Sequence, residues 1–168
     1  MTSASAHRDP DAELTAVLRA RGLRVTSPRL VIHRELRARD RHVTAEEARE
    51  DVARVLPGIS LPTVYATLEL FEELGIVRRV DAGRGAVRYD SRTDMHHHTV
   101  CRRCGRVEDF DGAEGLDRAL LAAEAGARRE GFAADMTAVV LTGLCEKCSA
   151  TAPERSSRPR PAARAAGR

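Results

Sequence analysis

The run Ser60-Leu61-Pro62-Thr63-Val64-Tyr65-Ala66-Thr67-Leu68-Glu69-Leu70-Phe71-Glu72-Glu73-Leu74-Gly75 decides the reading of the first half of the chain. Ser60 is a capping residue, Pro62 sits in a first turn where its missing N–H costs nothing, and Gly75 supplies a stop. Between them Val64, Leu68, Phe71 and Leu74 recur at intervals of four and three, which lines them along one buried stripe of a helix. Thr63, Tyr65, Ala66 and Glu69 fall on the other face. Downstream, residues 76–80 and 86–90 are short strand-like runs joined by Asp81-Ala82-Gly83-Arg84-Gly85, the pattern of a hairpin with a glycine-rich turn.

Three helices are expected upstream. Asp9-Pro10 opens the first, with Leu14, Val17 and Leu18 ahead of the stop at Gly22; Thr26-Ser27-Pro28 opens the second, with Leu30, Val31 and Leu36, running to Arg39. Thr44 and Glu47 form a capping box for the third, ahead of Ala48, Val52, Val55 and Leu56, and Pro57-Gly58 ends it. Three helices, a fourth and then a hairpin is the order of a winged helix.

In the second half, residues 99–110 read as a hairpin around Cys101 and Cys104, Leu116–Arg129 as an Ala- and Leu-rich helix, and residues 136–141 as a β-branched strand leading to Cys145 and Cys148. The class is mixed α/β (α+β). The division expected is a disordered start at 1–10, a winged-helix DNA-binding domain at 11–90, a small metal-binding α/β dimerisation domain at 91–150, and an Arg- and Pro-rich tail at 151–168. That tail, with Pro153, Pro159 and Pro161 and no large apolar residue, should be disordered and could attract phosphate loosely.

Aromatic content is 3% with no Trp, so packing rests on Leu, Val and Ala, and neither half buries a large core alone. A metal or an oligomer partner would make up the difference. The net charge of +3, from 28 basic and 25 acidic residues, is uninformative until the arginines are placed. No apolar run approaches the roughly 20 residues that span a bilayer, and the start lacks the apolar core of a signal peptide, so the expected compartment is the cytoplasm with no membrane partner. In that reducing compartment two C-x-x-C pairs favour metal over disulfide.

Cys101-Arg102-Arg103-Cys104-Gly105 and Cys145-Glu146-Lys147-Cys148 each place two thiolates on a tight turn, and four such sulfurs suit tetrahedral zinc. The alternative is a pair of redox motifs, which would be expected to open helices in a βαβ setting. Alternate residues of an extended chain point the same way, so His96 and His98 can share one ion, and a facing Asp109 in the hairpin comes within reach of His98. Asp90 precedes them on the same segment. A nitrogen and oxygen set of this kind suits Fe(II), Mn(II) or Zn(II) and releases its ion more readily than a thiolate cage. His97 should point away, His33 reads as a packed helix residue, and His7 is uninformative.

The order winged helix, histidine cluster, C-x-x-C-G and distal C-x-x-C resembles the ferric uptake regulator family over residues 14–148. Thr26-Ser27-Pro28-Arg29 is similar to the family's early T-x-x-R element, and Ser60 to Tyr65 to its recognition-helix start. Leu74-Gly75-Ile76-Val77 resembles the exit of that helix, and Arg88-Tyr89-Asp90 with His96 to Gly105 resembles its metal core. The resemblance implies a structural Zn(II) at Cys101, Cys104, Cys145 and Cys148, and a regulatory Fe(II) or Mn(II) at His42, Asp90, His96, His98 and Asp109. His42 enters only this way; from the sequence alone it reads as a surface loop residue. An ion joining it to the other four would fix the angle between the two halves.

Asp rather than Glu at positions 90 and 109 is most similar to the peroxide-sensing branch. There, Fe(II) reduces peroxide and the oxidant formed attacks a ligating histidine, here His42 or His96, releasing DNA. The alternative within the family is an iron-responsive repressor. The strand at 136–141 carries no His, so the accessory metal site of some members should be missing, and no Cys lies near Asp90 as in zinc-sensing members.

For DNA, the recognition helix would turn Thr63, Tyr65, Ala66 and Thr67 to the major groove. Arg29 and the wing residues Arg78, Arg79, Arg84 and Arg88 would meet phosphates. A symmetric homodimer would read an inverted repeat, A·T-rich in this family. No small-molecule substrate and no catalytic residues are expected. Two readings from other classes stay open: a zinc hydrolase using His96, His98 and Asp109 with a bound water, and a zinc-organised interaction module that does not read DNA.

Overall fold

The computed structural model describes residues 9–39, 42–82 and 87–151. Arg84, the chain before Asp9 and the tail after Thr151 lie outside the described residues. Four helices come first: α1 Pro10–Ala20, α2 Ser27–Arg37, α3 Ala45–Ala53 and α4 Leu61–Glu73. Their starts are capped as the sequence predicts. The Asp9 carboxylate accepts the Asp11 N–H, Thr44 and Glu47 form the full capping box, and Ser60 Oγ accepts the Thr63 N–H. Of these four, α2 begins without a side-chain cap.

Helix α4 closes at Gly75, whose φ of 70° permits the turn that lets Ile76 donate to the Phe71 carbonyl at 2.8 Å. Val77 donates to the same carbonyl at 3.3 Å. Those two residues are therefore still closing the helix, and the wing hairpin starts later than its apolar run suggests, as β1 Arg78–Asp81 against β2 Val87–Asp90. Leu14, Leu18, Ile32, Val52, Leu68 and Phe71 are sealed in the core between the helices, joined by Tyr89 from the wing. Val55 does not join them. Helix α3 ends at Ala53, and the turn beyond it leaves Val55 55% exposed.

The second half holds β3 His97–Cys101, β4 Val107–Phe110, α5 Leu116–Arg129, β5 Val140–Gly143 and α6 Glu146–Ala150. The sheet order is β4-β3-β5, with β4 antiparallel and β5 parallel to β3. Strand β5 is shorter than residues 136–141 predict and ends later. The chain meets β3 only at Val139, whose carbonyl accepts from His98 at 3.0 Å, so Met136 and its neighbours precede the ladder. Helix α5 buries no residue; Leu121 on it and Phe132, Met136, Val140 and Leu141 beyond it stand exposed. The small core of this half is borrowed: Val100 and Val107 of the sheet pack on Val80 and Ala82 of the wing. Burial thus runs across the division expected at residue 90. Among the described residues no helix is long and apolar enough to cross a membrane.

Candidate metal centres

A single main-chain bridge begins the first centre. Val43 and Tyr89 exchange hydrogen bonds of 3.1 and 2.7 Å in an antiparallel bridge. The residues next to them, His42 and Asp90, are thereby laid side by side. Strand β3 then delivers His98, whose register partner on β4 is Asp109, and His96 stands at the entry to β3. Each of His42, Asp90, His96, His98 and Asp109 offers one ligand atom, and all five atoms lie within 4.8 Å of one another.

His96 Nε2 is 2.9 Å from Asp90 Oδ2, and His42 Nε2 is 3.6 Å from that oxygen and 3.2 Å from Asp109 Oδ1. Yet His42 Nε2, Asp90 Oδ2, His96 Nε2 and His98 Nε2 are all buried without a hydrogen-bond partner. Four orphaned polar atoms converging on one point would cost several kcal/mol if nothing occupied it. A cation of the first-row series resolves that cost, since spacings near 3 Å are those of donors bonded at about 2.1 Å to a common centre. The donor set fits.

The surroundings orient these donors. The Asp94 carbonyl, 2.9 Å from His96 Nδ1, can only accept, so the Nδ1 proton is held there and Nε2 is the atom turned to the centre. Asp90 Oδ1 accepts the Arg92 main-chain N–H at 2.8 Å, leaving Oδ2 to the centre. Arg92 also reaches Asp109 Oδ2 at 3.1 Å. Burial opposes charge on Asp90, but His42, the Arg92 N–H and His96 outweigh it and hold its carboxyl below the usual range. Burial, with His42 and His96 beside it, pushes the His98 imidazole down and keeps it neutral. His97 faces elsewhere: its ring lies near Phe110 and accepts the Val139 N–H at Nδ1. His33 is packed edge-on against Phe71, away from either centre.

The second centre gathers Cys101, Cys104, Cys145 and Cys148, their sulfurs again within 4.8 Å of one another. Cys104 and Cys145 Sγ are 3.8 Å apart, the edge of a tetrahedron with bonds of about 2.3 Å. Gly105, at φ 70°, donates to the Cys101 carbonyl at 2.8 Å and closes the first knuckle. The second differs from expectation: Cys145 caps the short α6, so this pair does open a helix. The parallel β3–β5 pairing, with Cys101 opposite Gly143, brings it to the first pair. Main-chain N–H groups of Cys145 and Cys104 lower the Cys101 thiol, while burial and the crowded sulfurs raise Cys148. A dication would relieve that repulsion.

The face expected to meet DNA is placed in part. Tyr65 and Ala66 are exposed, and the Tyr65 hydroxyl donates to Glu46 at 2.8 Å. Thr63 is half-buried at the helix start, its hydroxyl 2.8 Å from that of Ser60. Thr67 is corrected: it is 5% exposed, and its hydroxyl donates back to the Thr63 carbonyl one turn earlier, so it belongs to the packed side. Arg29 is half-buried and bonds the Arg24 carbonyl. Arg78 donates to the Asp94 carbonyl, and Arg79 lies 3.8 Å from Glu72. Arg88 is also corrected. It is turned inward and bonds Glu47 and the carbonyls of His42 and Gly105. Sequence reasoning missed the partners Glu47, Arg92 and Asp94; the alternation Arg88-Tyr89-Asp90 was the available sign that Arg88 and Asp90 share a side.

A winged helix joined to a small sheet through a His and Asp cluster, with a four-thiolate clip beyond it, defines a class of metal-responsive DNA-binding regulators. Residues 20–134 match the model of the ferric uptake regulator family. The chain is 36% identical over 140 residues to the transcriptional regulator FurA of Mycobacterium tuberculosis, covering 83% of this chain and 92% of that one. It is 37% identical over 98 residues to the peroxide-responsive repressor PerR of Staphylococcus epidermidis, covering 58% of this chain and 65% of that protein. The solved ferric uptake regulator of Pseudomonas aeruginosa with manganese superposes with a TM-score of 0.63 at 30% identity, over 79% of this chain and 97% of that chain. The chain belongs to the ferric uptake regulator family and is a metal-responsive transcriptional regulator, not an enzyme. The hydrolase reading falls with that membership.

Proposed function

We propose that the chain is a cytoplasmic, homodimeric repressor that holds an A·T-rich inverted repeat while Fe(II) or Mn(II) occupies His42, Asp90, His96, His98 and Asp109, and that peroxide releases it. Cys101, Cys104, Cys145 and Cys148 hold a structural Zn(II) in this reading. The observation that carries it is the convergence of four buried, unpartnered donor atoms from both halves of the chain. His42 precedes α3 in the DNA-binding half, whereas His98 and Asp109 belong to the three-stranded sheet and His96 stands at its entry. An ion held by all of them ties the halves into one posture. The exposed Leu121, Phe132, Val140 and Leu141, with no residue of α5 fully buried, are the surface a second copy would cover.

The Asp pair, with no Glu among the ligands, favours peroxide as the signal, as does the likeness to PerR. Bound Fe(II) would supply the electron that reduces peroxide next to the histidines. An imidazole that gains oxygen donates more weakly, and the tie between the halves loosens. The test is to load the protein with Fe(II), add peroxide, and follow operator retardation together with peptide mass. A gain of about 16 Da, the mass of one oxygen atom, on His42 or His96 with loss of retardation is expected. Retained DNA binding with unmodified histidines would favour iron-responsive repression.

A further inference from the structure

Arg88 stands on the wing strand β2, yet its side chain is only 15% exposed. Its Nε donates to the Gly105 carbonyl at 2.9 Å, and its Nη1 to the His42 carbonyl at 2.9 Å. Nη1 and Nη2 also fork onto the two Glu47 carboxylate oxygens, at 2.9 and 3.4 Å. Two stretches distant from Arg88 in sequence, residues 42–47 and Gly105, meet on one guanidinium. Gly105 follows Cys104 and closes the thiolate knuckle, His42 is a ligand of the His and Asp cluster, and Glu47 completes the capping box by accepting the Thr44 N–H at 3.0 Å. The neighbour of Glu47, Glu46, accepts from Tyr65 on the recognition helix.

We infer that Arg88 is a positioning residue for the His and Asp centre: it pins the backbone of His42 to the thiolate knuckle on one side and to the first turn of α3 on the other. A ligand set works only when each donor sits within about 0.5 Å of its place. His42 lies outside every named strand and helix of the described residues. His98 and Asp109 are held in the three-stranded sheet and Asp90 in the wing hairpin, whereas His42 rests on the Val43–Tyr89 bridge and on this clamp. The planar five-donor fork suits the task, and a lysine, as a point charge with a flexible stem, could satisfy one acceptor well but not three in fixed directions. Through Thr44, Glu47 and Glu46 the same clamp sets the turn of α3 that holds Tyr65, so ligand placement and recognition-helix posture share one fastening.

This inference rests on the metal-gated reading above, and the experiment separates the two. Mn(II) affinity is measured by electron paramagnetic resonance of the free ion on full-length, zinc-loaded wild type, Arg88→Ala, Arg88→Lys, His42→Ala and the double variant, with zinc content as control. Arg88→Ala should weaken Mn(II) binding by about 10- to 100-fold with zinc retained, the range seen when partners of metal ligands are removed, and Arg88→Lys should fall between. On a His42→Ala background, Arg88→Ala should add less than about twofold, because the two act through one ligand. Unchanged affinity in Arg88→Lys and Arg88→Ala, or an equal loss with and without His42, overturns the inference. Wild type that binds no Mn(II) overturns the metal-gated reading, and this one with it.

Discussion

Val43 and Tyr89 exchange both main-chain hydrogen bonds in an isolated antiparallel bridge, and the side-by-side placement of His42 and Asp90 follows from it. The bridge is anchored by Tyr89 itself, 3% exposed and packed in the helical core. Folding of the DNA-binding half therefore builds one edge of the ion site.

Tyr89→Ala tests that dependence. Removing a buried aromatic should cost about 3–5 kcal/mol of stability in chemical denaturation, with Mn(II) binding weakened in the fraction that remains folded. Normal Mn(II) affinity in a destabilised protein would separate the bridge from the site.

Zinc removal should act on the far end of the chain. The thiolate clip closes a loop of about 40 residues, a constraint worth about 3–4 kcal/mol by analogy with a covalent cross-link, or roughly 6–16 °C in melting temperature for a domain of this size. Cys148→Ser, or chelation of the wild type, should show that fall by calorimetry. A melting curve and a hydrodynamic size that both stay put would remove the structural role of the four sulfurs.

Tyr65→Phe keeps the ring and deletes the hydroxyl now bonded to Glu46. If that hydroxyl trades Glu46 for a base edge, operator affinity in Mn(II) should fall by about 1–3 kcal/mol with nonspecific binding unchanged. A companion check is spectroscopic. Glu46, by hydrogen bond first, raises the Tyr65 phenol above its ordinary value, so Glu46→Gln should lower it in an ultraviolet titration of the chain's two tyrosines.

His33 gives a pH prediction independent of either metal. Burial, then Arg37, pushes its imidazole below the usual 6.5, and its Nδ1 has no partner. A group whose folded pKa is depressed in this way binds its proton more readily when unfolded, so stability rises with pH and is lost on acidification below about 6.5, by at most about 1.4 kcal/mol per pH unit. His33→Leu should flatten that part of the profile relative to wild type. An unaltered slope in the difference between the two would assign the pH dependence to other groups.

The fold was largely legible where the code is local. Caps at Asp9, Thr44 and Ser60, the Val64 to Leu74 stripe and the Gly75 stop each act within a turn or two, and each stands as read. The four cysteines carry their chemistry in their spacing, and Asp109 opposite His98 follows from hairpin register. What was not legible depends on contacts between distant segments. His42 resembles any loop histidine until the Val43–Tyr89 bridge is known, and it entered only by likeness to a family. Arg88 looked like a phosphate ligand because a wing strand usually faces DNA, whereas its acceptors lie 17, 41 and 46 residues away. Thr67 was misplaced for a simpler reason: it lies between Val64 and Phe71 on the packed face, and its hydroxyl is satisfied by its own helix.

An ion shared between the two halves, as proposed above, would bear on the threshold of a sensor. An ion that must first find both halves in register binds with an apparent affinity equal to the intrinsic one reduced by the fraction of molecules already so arranged. The metal concentration at which the protein responds can then be shifted by substitutions in the Val80, Ala82, Val100 and Val107 contact or at Arg88, none of which touches the ion. Sensitivity would thereby be adjustable without any change to the five proposed ligands.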